Sequence, residues 1–338
     1  ARKLAEKGAS VILLEKGVCA AESSWAGGGI LSPLYPWKYP EPVQQLSATS
    51  RLMYPLLCEA LLQETGIDPE YRKTGLVLTG GQLSEARSWC ETHAEQYVSG
   101  FYGSMLDGLP AAGLYETQQG KPCLFMPEVA QVRNPRLTRA LLASLAANGR
   151  VVVHQHSPVR SYREAANHVS IVTDRGERYC AGKVVFCAGA WTGLLLKAAL
   201  PVRVEPVKGQ MLLYRLPVGR FEHMLLHNGR YVIPRKDGLV LVGSTVEHAG
   251  FDKRVTEIAL RELQAFAQCV SGLFTPAALI KQWAGLRPGT DDGIPFIGAL
   301  PDSRRVFACA GHYRNGVVTA PASVEKLISI LLPDGHCA

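Results

Sequence analysis

The chain has 338 residues, of which 47% are hydrophobic and 19% charged, so it can bury a large core and is not expected to be disordered. Its net charge of +7 is spread along the chain without a block of like charges, which argues against a nucleic-acid-binding protein. The nine cysteines include no C-x-x-C pair, which argues against a disulfide framework and a zinc site and favours a reducing cytoplasm.

A membrane segment is not expected either. The longest apolar run, near residues 184–196, contains two glycines and is shorter than the roughly 18 residues that a transmembrane helix needs. Residues 1–7 have the composition of a charged helix and not that of a signal peptide.

The N-terminal segment has the pattern of half a nucleotide-binding unit. Residues 1–7 predict a helix, and residues 10–14 form an apolar run typical of a buried parallel strand, which Glu15 closes. A helix, a glycine, a strand and an acidic residue, in that order, make up the second half of a βαβ unit. The glycines that follow, Gly27, Gly28 and Gly29, allow the backbone to approach another group closely.

Helical and β-rich segments alternate along the rest of the chain. Helices are predicted at residues 43–66, 83–98 (with Ser84 as N-cap), 135–148, 191–199, 255–271 and 317–332. Strands are predicted at residues 72–80, 151–154, 169–173, 184–186, 209–215, 230–234, 239–242 and 306–309. Nucleotide-type segments at both ends enclose a β-rich middle, which predicts a mixed α/β (α+β) fold of two interleaved domains.

Two segments are suited to a dinucleotide. A carboxylate at the end of a strand, here Glu15, can accept hydrogen bonds from both hydroxyls of an adenosine ribose, although a solvated Glu before a turn has the same pattern. The strand at residues 184–186 runs into Ala188, Gly189 and Ala190, which lets a backbone pass close to a dinucleotide. A simple strand-to-helix turn is the alternative.

The two C-terminal segments are more specific. Residues 311–318 lead into the last helix. The free N–H groups of a helix N-terminus attract negative charge, such as that on a reduced flavin, and this attraction contributes about 0.3–1 kcal/mol. The alternative is a glycine-rich loop before an amphipathic helix. Arg287 can hold a carboxylate through two parallel hydrogen bonds of roughly 1.5–3 kcal/mol, or it can pair with Asp291 or Asp292.

Together and in this order, these segments resemble the FAD-dependent D-amino-acid oxidase superfamily and, within it, the bacterial glycine oxidases of the thiamine pathway. The resemblance covers nearly the whole chain and depends most on the last two of its motifs: V-I-L-L-E-K-G, G-G-G-I-L-S-P, V-V-F-C-A-G-A-W-T, R-Y-V-I-P-R, G-L-R-P-G-T-D-D-G-I-P-F-I-G and G-H-Y-R-N-G-V-V-T-A-P. It implies an FAD-binding Rossmann-like domain (residues 1–50, 136–200 and 285–338) interleaved with a β-rich substrate-binding domain (residues 51–135 and 201–284).

The resemblance also implies roles for individual residues. Arg287 would grip the substrate carboxylate, Tyr231 would add a hydroxyl to it, and Arg314 would lie on the other side of the substrate. Contacts to FAD would come from residues spread over the chain: Glu15, Lys16, Ser23, Ser24, Gly27, Gly28, Gly29, Val159, Ala188, Gly189, Trp191, Gly311, His312, Tyr313, Arg314, Asn315, Gly316 and Val317. We expect His312 to be a flavin-loop residue and not a base, because proton abstraction depends on geometry.

The implied reaction is the oxidative deamination of glycine, sarcosine or a small D-amino acid. A hydride passes to FAD, the imine is hydrolysed to an oxo acid and ammonia, and oxygen is reduced to hydrogen peroxide. The implied partners are the amino acid and oxygen, and the resemblance allows a homo-oligomer. The rival predictions are a D-amino-acid dehydrogenase that reduces a quinone, a sarcosine-type oxidase, and a cofactor-free binding protein.

Two departures from the family pattern bear on the cofactor. Some relatives attach FAD through a cysteine just before the R-P-G-T segment, but no cysteine lies between Lys281 and Asp292, which predicts non-covalent FAD. The family begins with a strand and a G-x-G-x-x-G loop that cradles the pyrophosphate, and this sequence starts just after that loop, so roughly 15–20 residues of the expected unit are absent from it.

Overall fold

The structure is a computed structural model that describes residues 1–102 and 118–333. Its helices are α1 (Arg2–Glu6), α2 (Ser23–Ala26), α3 (Glu41–Thr65), α4 (Leu83–Thr92), α5 (Asn134–Ala146), α6 (Thr192–Leu196), α7 (Glu257–Val270) and α8 (Gly316–Leu331). Within this part of the chain, no helix has both the length and the apolar character needed to cross a membrane.

The strands belong to two kinds of sheet, one large and mostly antiparallel, the others small. In chain order they are β1 (Val11–Leu14), β2 (Arg72–Lys73), β3 (Leu76–Thr79), β4 (Val98–Phe101), β5 (Pro122–Met126), β6 (Ala130–Gln131), β7 (Val151–His154), β8 (Val159–Glu164), β9 (Val169–Thr173), β10 (Arg178–Ala181), β11 (Val184–Phe186), β12 (Glu205–Arg215), β13 (Met224–His227), β14 (Arg230–Pro234), β15 (Leu239–Gly243), β16 (Leu279–Gly289), β17 (Phe296–Ala299) and β18 (Val306–Ala310). The mixed α/β class is confirmed.

The large sheet has eight strands in the order β16-β12-β15-β14-β13-β3-β5-β4, and only the β13–β3 pair is parallel. Both of its faces are covered, which is why all four residues of β3 are buried instead of alternating with exposed ones. Val77 packs with α7 on one face, whereas Leu76 and Leu78 pack with α4 on the other. Tyr231 lies on the α4 face, beside the segment that follows the glycine loop.

The nucleotide-type segments form two smaller parallel pairings. Strand β1 pairs with β7 in the register Val11↔Val151, and β11 pairs with β18 in the register Val184↔Val306. Because paired parallel strands run in one direction, the chain leaves β11 and β18 at the same edge of their sheet. The turn before α8 follows β18 at that edge, and α8 packs against α3.

Several boundaries differ from those predicted. Helix α4 ends at Thr92, because Ala94 has a left-handed φ of 52°, and Val98 begins a strand. Ser84 is not an N-cap: Gln82 occupies that position, and the Ser84 hydroxyl donates to the Glu85 carboxylate. The predicted strand at residues 72–80 is divided at Gly75, where φ is 67°.

The predicted helix at residues 191–199 is irregular. Only Thr192–Leu196 is α-helical, between two 3-10 turns, Gly189–Trp191 and Lys197–Ala199. Strand β16 crosses the predicted domain boundary between residues 284 and 285, so the division into two domains stays a prediction.

Candidate active site

Arg287 lies on β16 with its guanidinium laid across the neighbouring strand β12. Its Nη1 donates to the carbonyl oxygens of Lys208 (3.3 Å) and Thr245 (3.2 Å), and its Nη2 donates to Ser244 Oγ (2.8 Å). The strand passes beneath it at Gly209, where a Cβ atom would lie 2.1–2.3 Å from the guanidinium. A side chain at this position would therefore displace Arg287, so the guanidinium can occupy its position only because residue 209 is glycine.

Tyr231 and Arg287 come together on the α4 face of the sheet. Tyr231 pairs with Gly243 across β14 and β15, and Gly243 pairs with Met211 on β12, whose sulfur accepts a hydrogen bond from the Tyr231 hydroxyl at 3.7 Å. Burial lowers the pKa of Arg287, and the nearby Tyr231 hydroxyl raises it. Tyr231 also borders the glycine loop, since a Cβ on Gly28 would lie 3.3 Å from its ring.

The turn before α8 packs against the end of β16. A Cβ on Gly311, where φ is 84°, would lie 2.5 Å from the Thr290 side chain, and one on Gly289 would lie 3.7 Å from the Tyr313 ring. The two C-terminal motifs, which are separated by twelve residues of sequence (299–310), therefore form one structural unit beside Arg287. Arg314 is close enough to Arg287 to lower its pKa further by charge repulsion.

Arg287 and Arg314 are two adjacent cations that no carboxylate of residues 1–102 or 118–333 neutralises within ion-pair distance. The alternative pairing of Arg287 with Asp291 or Asp292 is not formed; Asp292 instead accepts a hydrogen bond from the Ile294 backbone N–H. One nitrogen of Arg314, Nη2, is buried without a hydrogen-bond partner in the described residues. Such a pair of like charges favours an anionic ligand.

His312 belongs to the same turn but faces the last helix. The Ser323 hydroxyl donates to the Thr319 carbonyl oxygen (2.8 Å), so it can only accept from His312, which places the ring proton on Nε2 (3.1 Å). Burial lowers the pKa of His312 to about 4. The imidazole is therefore neutral near pH 7, and its Nε2 proton is held by Ser323.

A second group of residues gathers at the carboxyl end of β1. Glu15 follows that strand, and one carboxylate oxygen accepts the Gly17 backbone N–H at 2.8 Å. The next residue, Lys16, places its ammonium 3.2 Å from the centre of the Trp191 ring. Ala188 precedes the turn Gly189–Trp191, and Gly189, with φ of 54°, has open space where a Cβ would be. Val159 opens β8 and packs in the same hydrophobic cluster as Leu14.

The two groups are connected through the sheet. The turn Gly189–Trp191 packs against β16, the strand that carries Arg287. Ser23 and Ser24 begin α2, which also packs against β16, where a Cβ on Gly285 would lie 2.7 Å from Ala26. Elements that carry residues predicted for the two ends of one dinucleotide thus pack against the same strand, β16.

Sequence reasoning missed several residues that hold this site. Arg235 is buried and donates from Nη2 to the Gly28 carbonyl oxygen (2.8 Å) and from Nη1 to that of Val132 (3.0 Å), which ties the glycine loop to the sheet. Arg235 is the last residue of the motif R-Y-V-I-P-R, but the carbonyl groups to which it donates could not be predicted from the sequence. Asn134 is fully buried against Gly27 and Gly29 with no partner for its amide among the described residues.

Tyrosines form the wall of the site next to Arg314. Burial raises the pKa of Tyr35 and Tyr39, and the positive charge of Arg314 opposes that rise in both. The Tyr35 hydroxyl also accepts the Gly229 backbone N–H at 2.7 Å. Neither tyrosine belongs to a motif, and Tyr39 in particular gave no signal in the sequence. No cluster of three potential metal ligands occurs in the described ranges.

Comparison with known proteins assigns the chain to a family. The profile of the family described as "FAD dependent oxidoreductase" (DAO) matches residues 1–328. Glycine oxidase of Pseudomonas aeruginosa is 42% identical over 339 residues, covering 98% of this chain and 90% of the relative. Glycine oxidase of Pseudomonas putida is 41% identical over 330 residues, covering 97% and 89%.

Solved structures show the same relationship. The crystal structure of glycine oxidase from Geobacillus kaustophilus superposes with a TM-score of 0.89 at 26% identity, covering 100% of this chain and 91% of that one. Glycine oxidase from Bacillus cereus gives 0.88 at 25% identity, covering 98% and 91%. The Rossmann-like architecture and the resemblance stated from the motifs are thereby confirmed, and the chain belongs to the DAO family of FAD-dependent oxidoreductases.

Proposed function

We propose that this chain is an amino-acid oxidase that uses FAD to deaminate glycine and similarly small amines, such as sarcosine and D-alanine, with oxygen as the electron acceptor. The single observation that carries the proposal is the pair of cations, Arg287 and Arg314, that no carboxylate of the described residues neutralises, beside Tyr231 and the turn before α8. The relatives named glycine oxidase, at 42% and 41% identity over nearly the whole chain, support the substrate class.

The residues of the chain fit FAD at several points. Helix α8 begins at Gly316, and the free N–H groups of its first turn favour the negative charge of a reduced flavin. Asn315 is buried there, and its side chain is within hydrogen-bonding reach of the Tyr39 hydroxyl. At the other end, the Glu15 carboxylate follows β1, where it can accept the hydroxyls of a ribose. The open, left-handed Gly189 lets a backbone approach the pyrophosphate between these two ends.

Arg287 and Tyr231 would bind and orient the substrate. Lys208, Thr245 and Ser244 together use three guanidinium donor positions, which fixes the plane of the Arg287 group. A carboxylate would take the remaining donors and the Tyr231 hydroxyl, which would exchange its 3.7 Å bond to the Met211 sulfur for one to the substrate. When bound, FAD supplies the acceptor for the two electrons and the hydrogen that leave the α-carbon.

No residue needs to act as a base at the α-carbon, because the amine is oxidised in its neutral form. His312 is unsuited to that role, since its Nε2 proton is held by Ser323. Arg314 and Arg287 favour loss of a proton from the substrate ammonium by charge repulsion. The overall reaction converts glycine, oxygen and water to glyoxylate, ammonia and hydrogen peroxide.

Further parts of the proposal concern the attachment of FAD, the compartment, the pathway and the assembly. FAD is bound non-covalently, because residues 281–292 contain no cysteine; acid precipitation should therefore leave the flavin in the supernatant, not in the pellet. The protein works in the cytoplasm, which suits the eight cysteines of the described residues, all of them free thiols. A place in thiamine biosynthesis and a homo-oligomeric state stay predictions, the latter testable by light scattering.

The test is peroxide release by the purified protein across a panel of glycine, sarcosine, D-alanine and larger amino acids. We expect peroxide and ammonia in equal amounts from glycine and D-alanine, and peroxide and methylamine in equal amounts from sarcosine. A preparation that oxidises them only when a quinone or dye is added would instead be a dehydrogenase. A colourless preparation that binds no FAD would be the cofactor-free binding protein.

A further inference from the structure

The backbone hydrogen-bond ladder of helix α8 lacks one bond, one turn after the helix begins. Pro321 lies inside the helix and has no N–H, so the Val317 carbonyl oxygen, four residues earlier, has no intrahelical partner. A buried carbonyl without a donor costs free energy, and the first turn of the helix would be free to tilt relative to the rest. That first turn is the part of α8 closest to the turn at residues 311–316.

Helix α3 supplies the missing donor. The Tyr54 hydroxyl donates to the Val317 carbonyl oxygen at 2.5 Å, and the Ala322 N–H, directly after the proline, donates to Ser50 Oγ at 2.9 Å. Ser50 and Tyr54 are four residues apart, hence on one face of α3, and are 0% and 1% exposed. Burial also raises the pKa of Tyr54, so the hydroxyl remains a donor at any working pH.

We infer that Tyr54, assisted by Ser50, is a positioning residue of the cofactor site: it replaces the hydrogen bond that Pro321 removes and fixes the direction of the first turn of α8. The inference rests on the proposed FAD site, because the N–H groups of that turn are the ones that face the flavin. Tyr54 touches neither substrate nor cofactor; it acts through the Val317 carbonyl. Its role therefore shows in how tightly FAD binds and in the flavin potential, not only in stability.

Tyr54→Phe removes the hydroxyl alone, and Tyr214→Phe is its matched control. The Tyr214 hydroxyl is also buried, has no hydrogen-bond partner in the described residues, and packs in the core on the α7 face of the sheet. We expect Tyr54→Phe to raise the Kd of FAD about twofold to fivefold, the range of a helix-terminus charge interaction, and to make the midpoint potential more negative. Tyr214→Phe should leave both unchanged.

A rescue separates positioning from packing. Pro321→Ala restores an N–H that can donate to the Val317 carbonyl oxygen within the helix. In the Tyr54→Phe background this change should return the Kd of FAD and the midpoint potential towards the wild-type values, a coupling that independent sites would not show. The double variant also provides a usable measurement if Tyr54→Phe alone folds poorly.

Two results would overturn the inference. If Tyr54→Phe lowers the melting temperature but leaves the Kd and the potential at the wild-type values, the hydroxyl only stabilises the α3–α8 contact. If Tyr54→Phe weakens FAD and Pro321→Ala gives no rescue, the effect does not pass through Val317. A wild-type protein that binds no FAD would be a different failure, that of the proposed cofactor site, and would remove the inference with it.

Discussion

Gly209→Ala tests the substrate site without replacing a charged residue. The added Cβ would lie 2.1 Å from Arg287 Nη2 and 2.2 Å from Nη1, well inside any real contact distance, so the guanidinium has to leave its position. Its three hydrogen bonds to residues 208, 244 and 245 then break or lengthen, and the carboxylate loses its oriented partner. The strand itself should tolerate alanine.

The expected magnitude follows from the contact that is lost. A charge-assisted hydrogen bond contributes about 1.5–3 kcal/mol, which corresponds to a rise in the KM for glycine of about ten- to a hundredfold. The FAD content and the Kd of FAD should stay at the wild-type level, because the three atoms nearest to a Cβ on Gly209 all belong to Arg287. Peroxide-coupled initial rates and a flavin titration measure the two quantities.

The control and the coupled variant make the test decisive. Gly149→Ala adds the same atom where nothing lies within 4 Å, and it should change neither KM nor FAD binding. In an Arg287→Met background, Gly209→Ala should add little, because both changes remove one interaction. A folded, FAD-loaded Gly209→Ala protein with an unchanged KM would refute the assignment of Arg287 to the carboxylate.

Three further predictions address single residues. Tyr231→Phe should raise KM about fivefold at nearly constant kcat, since one hydrogen bond to the bound carboxylate is lost; an unchanged KM would remove Tyr231 from the site. Arg235→Met should lower the free energy of unfolding in urea by about 2–4 kcal/mol, because the Gly28 and Val132 carbonyls lose their donor, whereas Arg215→Met on an exposed side chain should not. Burial lowers the pKa of His312 to about 4, so the unfolded chain binds its proton first as pH falls below 6.5. His312→Gln should therefore abolish about 1–2 kcal/mol of the stability lost between pH 7 and pH 5, and a variant with the same pH profile as wild type would contradict the buried neutral ring.

The sequence predicted best those strands that are short, mostly apolar runs. Strands β7, β9, β11 and β14 match their predicted bounds at both ends, because their apolar runs are bounded by polar or turn residues. Strand β16 was not predicted, because its end carries Gly, Arg and Pro, residues that are typical of loops and are here required by the site. The end of α4 was misplaced because a single left-handed residue, Ala94, terminates it.

Residues of the site were likewise predictable where a local sequence motif marks them, and not where their role depends on a tertiary contact. Motifs indicated Arg287, Tyr231 and the turn before α8, since glycines and an arginine in an otherwise apolar context stand out. Ser244 and Tyr54 could not be found in this way, and the motif that contains Arg235 did not reveal its partners, because each of these residues acts through a group far away in sequence. Tyr54 and Val317 are separated by 263 residues, and only the packing of α3 on α8 brings them together.

The most direct measurement of the central claim is the anaerobic bleaching of the enzyme-bound flavin by glycine in the wild type and in Arg287→Met. With the carboxylate held by Arg287, glycine should bleach the wild-type flavin completely, and the variant should need about ten- to a hundredfold more glycine for the same rate of bleaching. A flavin that glycine does not reduce, or one reduced over the same concentration range in both proteins, would contradict the account.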